Sequence, residues 1–186
     1  MKNLKRYGGV ITGLICLVVL TSGCISMEDL TSGYLSGDNL TNSTGQITAY
    51  GVSFEYPWGW FANADNTTGD NVITASKEFG FNNVQFQVQI WNNNGMPEDR
   101  AVNQLREMNS PGWEKISSNE LVIDNKTAYE DVYLVNDTHF SKLMKISHII
   151  LVKNDKTYMM LLQAPDNEFN SERVNFDIIL NSFRVL

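Results

Sequence analysis

Val84-Gln85-Phe86-Gln87-Val88-Gln89-Ile90 decides the architecture of this chain. Apolar side chains at 84, 86, 88 and 90 alternate with glutamines at 85, 87 and 89. A β-strand sends successive side chains to opposite faces, so this stretch buries one face and wets the other. Working outward, Val52, Phe54 and Tyr56 alternate in the same way until Pro57 ends the run. Asn125-Lys126 separates the strand-like stretches Glu120 to Ile123 and Ala128 to Val135. The clearest hairpin joins Leu143 to Val152 with Tyr158 to Leu162 across Lys153-Asn154-Asp155-Lys156, where Asn and Asp tolerate the positive φ of a two-residue turn. Two segments change to a period near 3.6. In Pro97 to Met108, Ala101, Leu105 and Met108 share a face, with Pro97 suited to a first turn. In Ser171 to Phe183, Phe176, Ile179, Leu180 and Phe183 share a face behind a Ser171 cap. The expected fold class is α+β, a central antiparallel β-sheet flanked by helices.

Ahead of this pattern, Leu20-Thr21-Ser22-Gly23-Cys24 follows the apolar run Val10 to Leu20 and the basic residues Lys2, Lys5 and Arg6. That order is the order of a lipoprotein signal, with small residues before the cleavage point. Cys24 then becomes the new N-terminus, and its thiolate takes a glyceryl lipid whose two chains anchor where a single acyl chain does not. Two readings compete with this one: an uncleaved spanning helix, which wants about 20 apolar residues, and a plain secretory signal with an incidental cysteine. The apolar run is short for the first, and Cys24 stands directly after Gly23, where lipidation needs it; Thr21 stands where Leu or Ala is commoner. Residues 1–23 are therefore read as a signal peptide, 24–45 as a lipid-anchored tether, and 46–186 as one domain. The tether is polar and Gly-rich, with too few apolar residues to offset ordering entropy. The domain suits a single core at about 100–200 residues per domain. The expected location is the cell membrane, lipid-anchored on its extracytoplasmic face.

The whole chain carries a formal charge of −7, which becomes more negative once Lys2, Lys5 and Arg6 are removed. Nucleic acid and anionic head groups attract Lys/Arg stripes, and this sequence has none, so no nucleic-acid partner is expected. Of the 2 cysteines, Cys16 leaves with the signal and Cys24 takes the lipid, which excludes a disulfide framework or thiolate cluster.

The opening stretch Val52-Ser53-Phe54-Glu55-Tyr56-Pro57-Trp58-Gly59-Trp60, the long-stranded hairpin and the closing Ile178-Ile179-Leu180-Asn181-Ser182-Phe183 resemble the PsbP-like family over nearly all of Gln46 to Leu186. The resemblance implies a central antiparallel sheet with flanking helices, and a binding or assembly role in place of catalysis. Nothing about calcium, chloride or photosystem partners is carried over, because the N-terminal arm here reads as a lipid tether.

The residues themselves offer little chemistry. His139 falls in the turn Asn136-Asp137-Thr138-His139, and His148 alternates with Met144, Ile146, Ile150 and Val152, the position of a buried histidine with a hydrogen-bond partner. Glu130 and Asp131 point to opposite faces of one strand, which is wrong for shared acid–base work. Gly33-Tyr34-Leu35-Ser36-Gly37 has the wrong spacing for a nucleophile elbow. No catalytic residue, metal ligand or cofactor is expected, and an esterase-like enzyme would need a histidine brought beside an exposed serine or carboxylate.

Trp58 and Trp60 are expected to pack a sheet end. Trp91 falls on the face of Gln85, Gln87 and Gln89, with Asn92, Asn93 and Asn94 following, and is the tryptophan that meets a ligand if one of the four does. Five N-glycosylation acceptors, Asn39, Asn42, Asn66, Asn125 and Asn136, lie in the tether or in turns. Sequons beside a lipidation signal fit an archaeal surface lipoprotein. The expected function is a non-enzymatic, lipid-anchored module for an envelope protein complex, contacting it through the Gln85, Gln87, Gln89 and Trp91 face unless helices cover both faces of the sheet, with no evident homo-oligomer. The alternative is a solute- or glycan-binding lipoprotein centred on Trp91.

Overall fold

The period-2 segments become strands of two antiparallel sheets. The structure, a computed structural model, describes residues 44–66, 70–78, 83–107, 112–136 and 142–186. The elements run β1 Thr44–Ala49, β2 Val52–Pro57, β3 Phe61–Asp65, β4 Asn71–Ser76, β5 Gln85–Asn92, α1 Glu98–Arg106, β6 Trp113–Ile123, β7 Lys126–Val135, β8 Met144–Lys153, β9 Lys156–Pro165, α2 Asp166–Ser182 and β10 Arg184–Val185. The larger sheet has the order β3-β4-β5-β9-β8-β7-β6, and the smaller one β1-β2-β10. The signal region, Cys24, Asn39, Asn42 and His139 lie outside the described residues. β1 begins at Thr44, just ahead of the domain start expected at Gln46.

Turn chemistry sets the registers. Asn154 and Asp155 have φ of 52° and 55°, the left-handed pair of a type I′ hairpin, and close β8 on β9 with Lys153 opposite Lys156. The β6–β7 turn is Asp124-Asn125, with φ of 50° and 59°, one residue ahead of the expected Asn125-Lys126. A lysine gains nothing from a left-handed backbone, whereas the short polar side chains of Asp and Asn tolerate it. Lys126 therefore pairs with Ile123 as the first strand residue.

The helices sit on opposite faces of the larger sheet. α2 packs on β2, β9 and β8, and its buried Phe169, Phe176, Ile179 and Leu180 join Phe86, Val88 and Ile90 of β5 and Tyr158, Met160 and Leu162 of β9 in the main core. Phe54 and Phe183 extend that core beneath the smaller sheet, with ring centroids 6.1 Å apart. α1 packs on β8 from the other side, the side that carries Gln85, Gln87 and Gln89, where Ala101 and Val102 meet Ile150 and Val152; helices therefore lie on both faces, and α1 covers this one over β8. Ser171 is not the cap of α2. The helix starts at Asp166 behind Pro165, and Ser171 Oγ donates to the Glu168 carbonyl at 2.7 Å, so its side chain serves the helix interior.

Candidate functional site

The outward face of β5 is built by register. Gln85, Gln87 and Gln89 stand opposite Ser76, Thr74 and Val72 of β4 on one side, and opposite Gln163, Leu161 and Met159 of β9 on the other. Strand alternation puts these residues on one face, while Phe86, Val88 and Ile90 go into the main core. All three glutamines are half-buried, as are Val72, Thr74, Met159 and Leu161. No strand residue of β4, β5 or β9 on this face is charged, in a chain of net charge −7.

Trp91 ends the row opposite Thr157 and is half-buried. It lines a cleft of about 230 Å³ together with Asn92, Met96, Gln104 and Leu105, where β5 turns into α1. Of the three asparagines after it, Asn92 and Asn94 are exposed and Asn93 is buried. Asn93 is a structural residue: its side-chain oxygen accepts from Thr157 Oγ1, and its backbone N–H donates to the Asp155 carbonyl at 2.8 Å.

Sequence reasoning missed how α1 is fixed beside this face. Arg106, in the last turn of α1, donates to both oxygens of Asp131 on β7, from Nε at 2.9 Å and Nη2 at 2.6 Å. Ser118 Oγ and Lys115 Nζ on β6 add hydrogen bonds at 2.6 and 3.3 Å. The Asp131 side chain is only 2% exposed. Burial alone pushes its carboxyl up, but the hydrogen bonds from Arg106, Ser118 and Lys115 overcome this and lower its pKa to about 2. The neighbouring Glu130 faces the other way, as expected from alternation, and holds α2 instead. It accepts from Ser147 at 2.5 Å, from Arg173 of α2 at 3.1 Å and from Asn119 at 3.2 Å. Adjacent carboxylates of one strand thus clamp the two helices. The available signal was an arginine within each apolar-periodic segment, Arg106 in the first and Arg173 in the second.

His148 lies opposite Asp131 across the β7–β8 pair and is 7% exposed. It is buried as expected, and among the described residues its Nε2 has no hydrogen-bond partner, so that nitrogen departs from the expectation of a satisfied histidine. Burial pushes its imidazole below 6.5, with Asp131 acting in the opposite direction. A histidine depressed on folding stabilises fully above its unfolded value near 6.5 and loses that contribution as pH falls below it. Asp131 contributes above 3.8 and loses its part as pH falls toward about 2. Urea titrations from about pH 7 to about pH 5 are expected to show the wild type losing stability with acid faster than His148→Leu. Parallel pH profiles would contradict that assignment.

Among the other tryptophans, Trp60 packs a sheet end as expected, edge-on to Phe176 at 6.2 Å, and Trp113 meets Tyr133 at 5.6 Å. Trp58 does not: it is 71% exposed, because the turn that buries Trp60 turns Trp58 outward. The sequon residues Asn66, Asn125 and Asn136 are exposed at strand ends or in turns. Among the described residues, no three of His, Cys, Asp and Glu gather as a metal site, and no helix is long and apolar enough to cross a membrane.

No family model matches the chain, and no curated protein matches it. Solved structures do. The cyanobacterial PsbP (CyanoP) of Synechocystis sp. superposes with a TM-score of 0.52 at 16% identity, over 81% of this chain and 98% of that one. The Ran-binding protein Mog1p of Saccharomyces cerevisiae gives 0.49 at 13% identity, over 78% and 96%. LpqN, involved in cell envelope biogenesis of Mycobacterium tuberculosis, gives 0.45 at 11% identity, over 76% and 91%. The α+β architecture expected from the sequence is therefore the PsbP-like fold.

Proposed function

We propose that the chain is a non-enzymatic binding or assembly module, held at the outer face of the cell membrane by lipid on Cys24, that docks on an envelope protein complex. The observation that carries this reading is the uncharged face of Gln85, Gln87 and Gln89 on an acidic protein. The centres of protein interfaces are depleted in charge, and half-buried amides between Val72, Met159 and Leu161 offer hydrogen bonds beside apolar contact. Both helices are clamped by arginines paired to buried carboxylates, so the surface meets its partner pre-formed, at low ordering cost. The sequons and lipidation signal place the module in an archaeal envelope on this reading.

Crosslinking on native membranes, followed by recovery of the tagged chain, tests the proposal. A stoichiometric protein partner is expected with the wild type, and at least a tenfold loss, about 1.4 kcal/mol, with Gln87→Arg. That variant places a charge in the middle of the face, where the strand pairing tolerates it. Recovery of the chain alone, or equal recovery with Gln87→Arg, would contradict the proposal.

The cleft beside Trp91 favours a second reading, a solute-binding lipoprotein. At about 230 Å³ it is smaller than ligand pockets of about 300–1,000 Å³, so the solute it suits is no larger than a single sugar ring.

A further inference from the structure

Trp58 sits where the chain turns from β2 into β3. The Trp60 N–H donates to the Pro57 carbonyl at 3.2 Å, and Gly59 has φ of 81°, the third-position geometry of a type II turn. Trp58 is thereby fixed at the second position with its indole outward. Trp60 goes inward onto α2, so the two indoles leave the same turn in opposite senses. Beside Trp58 lies an open groove of about 660 Å³ between the start of β1, the end of β2 and the C-terminal half of α2. Pro57 and Ile178 continue the apolar floor, and Glu55, Asn175, Asn181 and Arg184 supply polar groups along the rim.

The walls are tied together. Ser182 Oγ on α2 accepts the Glu55 N–H at 2.8 Å, and Thr44 Oγ1 donates to Glu55 Oε2 at 2.9 Å. Arg184 Nη1 donates to the Asn181 and Phe183 carbonyls at 2.9 and 2.7 Å. Among the described residues, these bonds leave Glu55 Oε1 and the Asn181 side-chain amide without a partner. The groove carries one carboxylate and one guanidinium, so it does not select an anion or a cation. An exposed aromatic plane beside an amide, a carboxylate and a guanidinium is complementary to a pyranose, whose C–H face stacks on the ring while its hydroxyls take the hydrogen bonds.

We propose that the Trp58 groove is a binding site for a neutral pyranose sugar. The sugar has two sources, a free envelope saccharide or a glycan on this chain's own Asn42. The second is raised by Thr44, the hydroxyl residue of the sequon Asn42-Ser43-Thr44, which lines the groove. The site is separate from the uncharged face of β5, so either proposal stands if the other fails.

The test uses the full chain in detergent, made without glycosylation and also recovered from its native host. Each preparation is titrated with neutral oligosaccharides built on glucose, mannose, galactose or N-acetylglucosamine, and read by tryptophan fluorescence and on a printed glycan array. At least one saccharide is expected to bind the unglycosylated chain, with affinity at least tenfold lower in Trp58→Ala and within twofold of wild type in Val122→Ala, an exposed position that does not line the groove. If the groove holds the chain's own glycan, the native protein binds the same saccharide weakly and Asn42→Gln restores it. If the source is external, native protein and Asn42→Gln bind alike. The proposal is overturned if no saccharide binds, if Trp58→Ala binds as wild type does, or if Trp58 responds only to phosphatidylglycerol vesicles. Because Trp58 is exposed, the thermal midpoint of Trp58→Ala is expected to match wild type, and a match excludes misfolding as the cause of lost binding.

Discussion

Phe176→Ala is expected to destabilise the domain by about 3–5 kcal/mol, the usual cost of emptying a buried phenylalanine site. That corresponds to a fall in thermal midpoint on the order of 10 °C for a domain of this size. Phe176 is fully buried, edge-on to Trp60 and 5.9 Å from Phe169. It belongs to the face of α2 that bridges β2 of the smaller sheet and β9 of the larger one. Its loss opens a cavity where both sheets share one core, and the sheets cannot move together to fill it without breaking strand pairing. In urea, the midpoint is expected to fall with an unchanged slope, whereas Val174→Ala on the exposed side of the same helix should stay within about 0.5 kcal/mol of wild type. Equal effects of the two substitutions would mean that α2 is not packed as described.

Arg106→Ala is expected to cost about 3 kcal/mol, the lower end for breaking a buried ion pair, because Ser118 and Lys115 still serve the stranded carboxylate. The asymmetry is the informative part. Asp131 is 2% exposed and Arg106 is 30% exposed at the side chain, so removing the arginine leaves a charge in the interior, while removing the carboxylate leaves one that can turn to water. Arg106→Ala should therefore be worse than Asp131→Asn, and the double variant should recover part of the loss as a measurable coupling. Hydrogen exchange should accelerate first in α1, the element released when the clamp opens. An additive double variant would remove the clamp from the account.

The strands were legible because their signal is local. Val84 to Ile90 alternates strictly, and Asn154-Asp155 announces its own turn. The Asp124-Asn125 turn was misplaced by one residue because three consecutive polar residues left the register open, and register is settled by pairing with the partner strand. The small sheet was only partly legible. β10 is two residues long and exists through pairing with Val52 and Ser53, a contact between opposite ends of the domain that no local pattern encodes. The Ser171 cap failed because Pro165 ends β9 and starts α2 with no loop between them. Alternation correctly sent Glu130 and Asp131 to opposite faces, but their partners Arg173 and Arg106 are 43 and 25 residues away. The family resemblance joins Trp58 to Trp60 in one packing motif, and only the turn geometry separates their fates.

The most direct test of the contact face is a photocrosslinking residue in place of Gln87 in the full chain on native membranes, with the same residue in place of Val174 on α2 as the control. One discrete protein adduct is expected from position 87 and none of that mass from position 174. Adducts from position 174 alone, or no protein adduct from either, would contradict it.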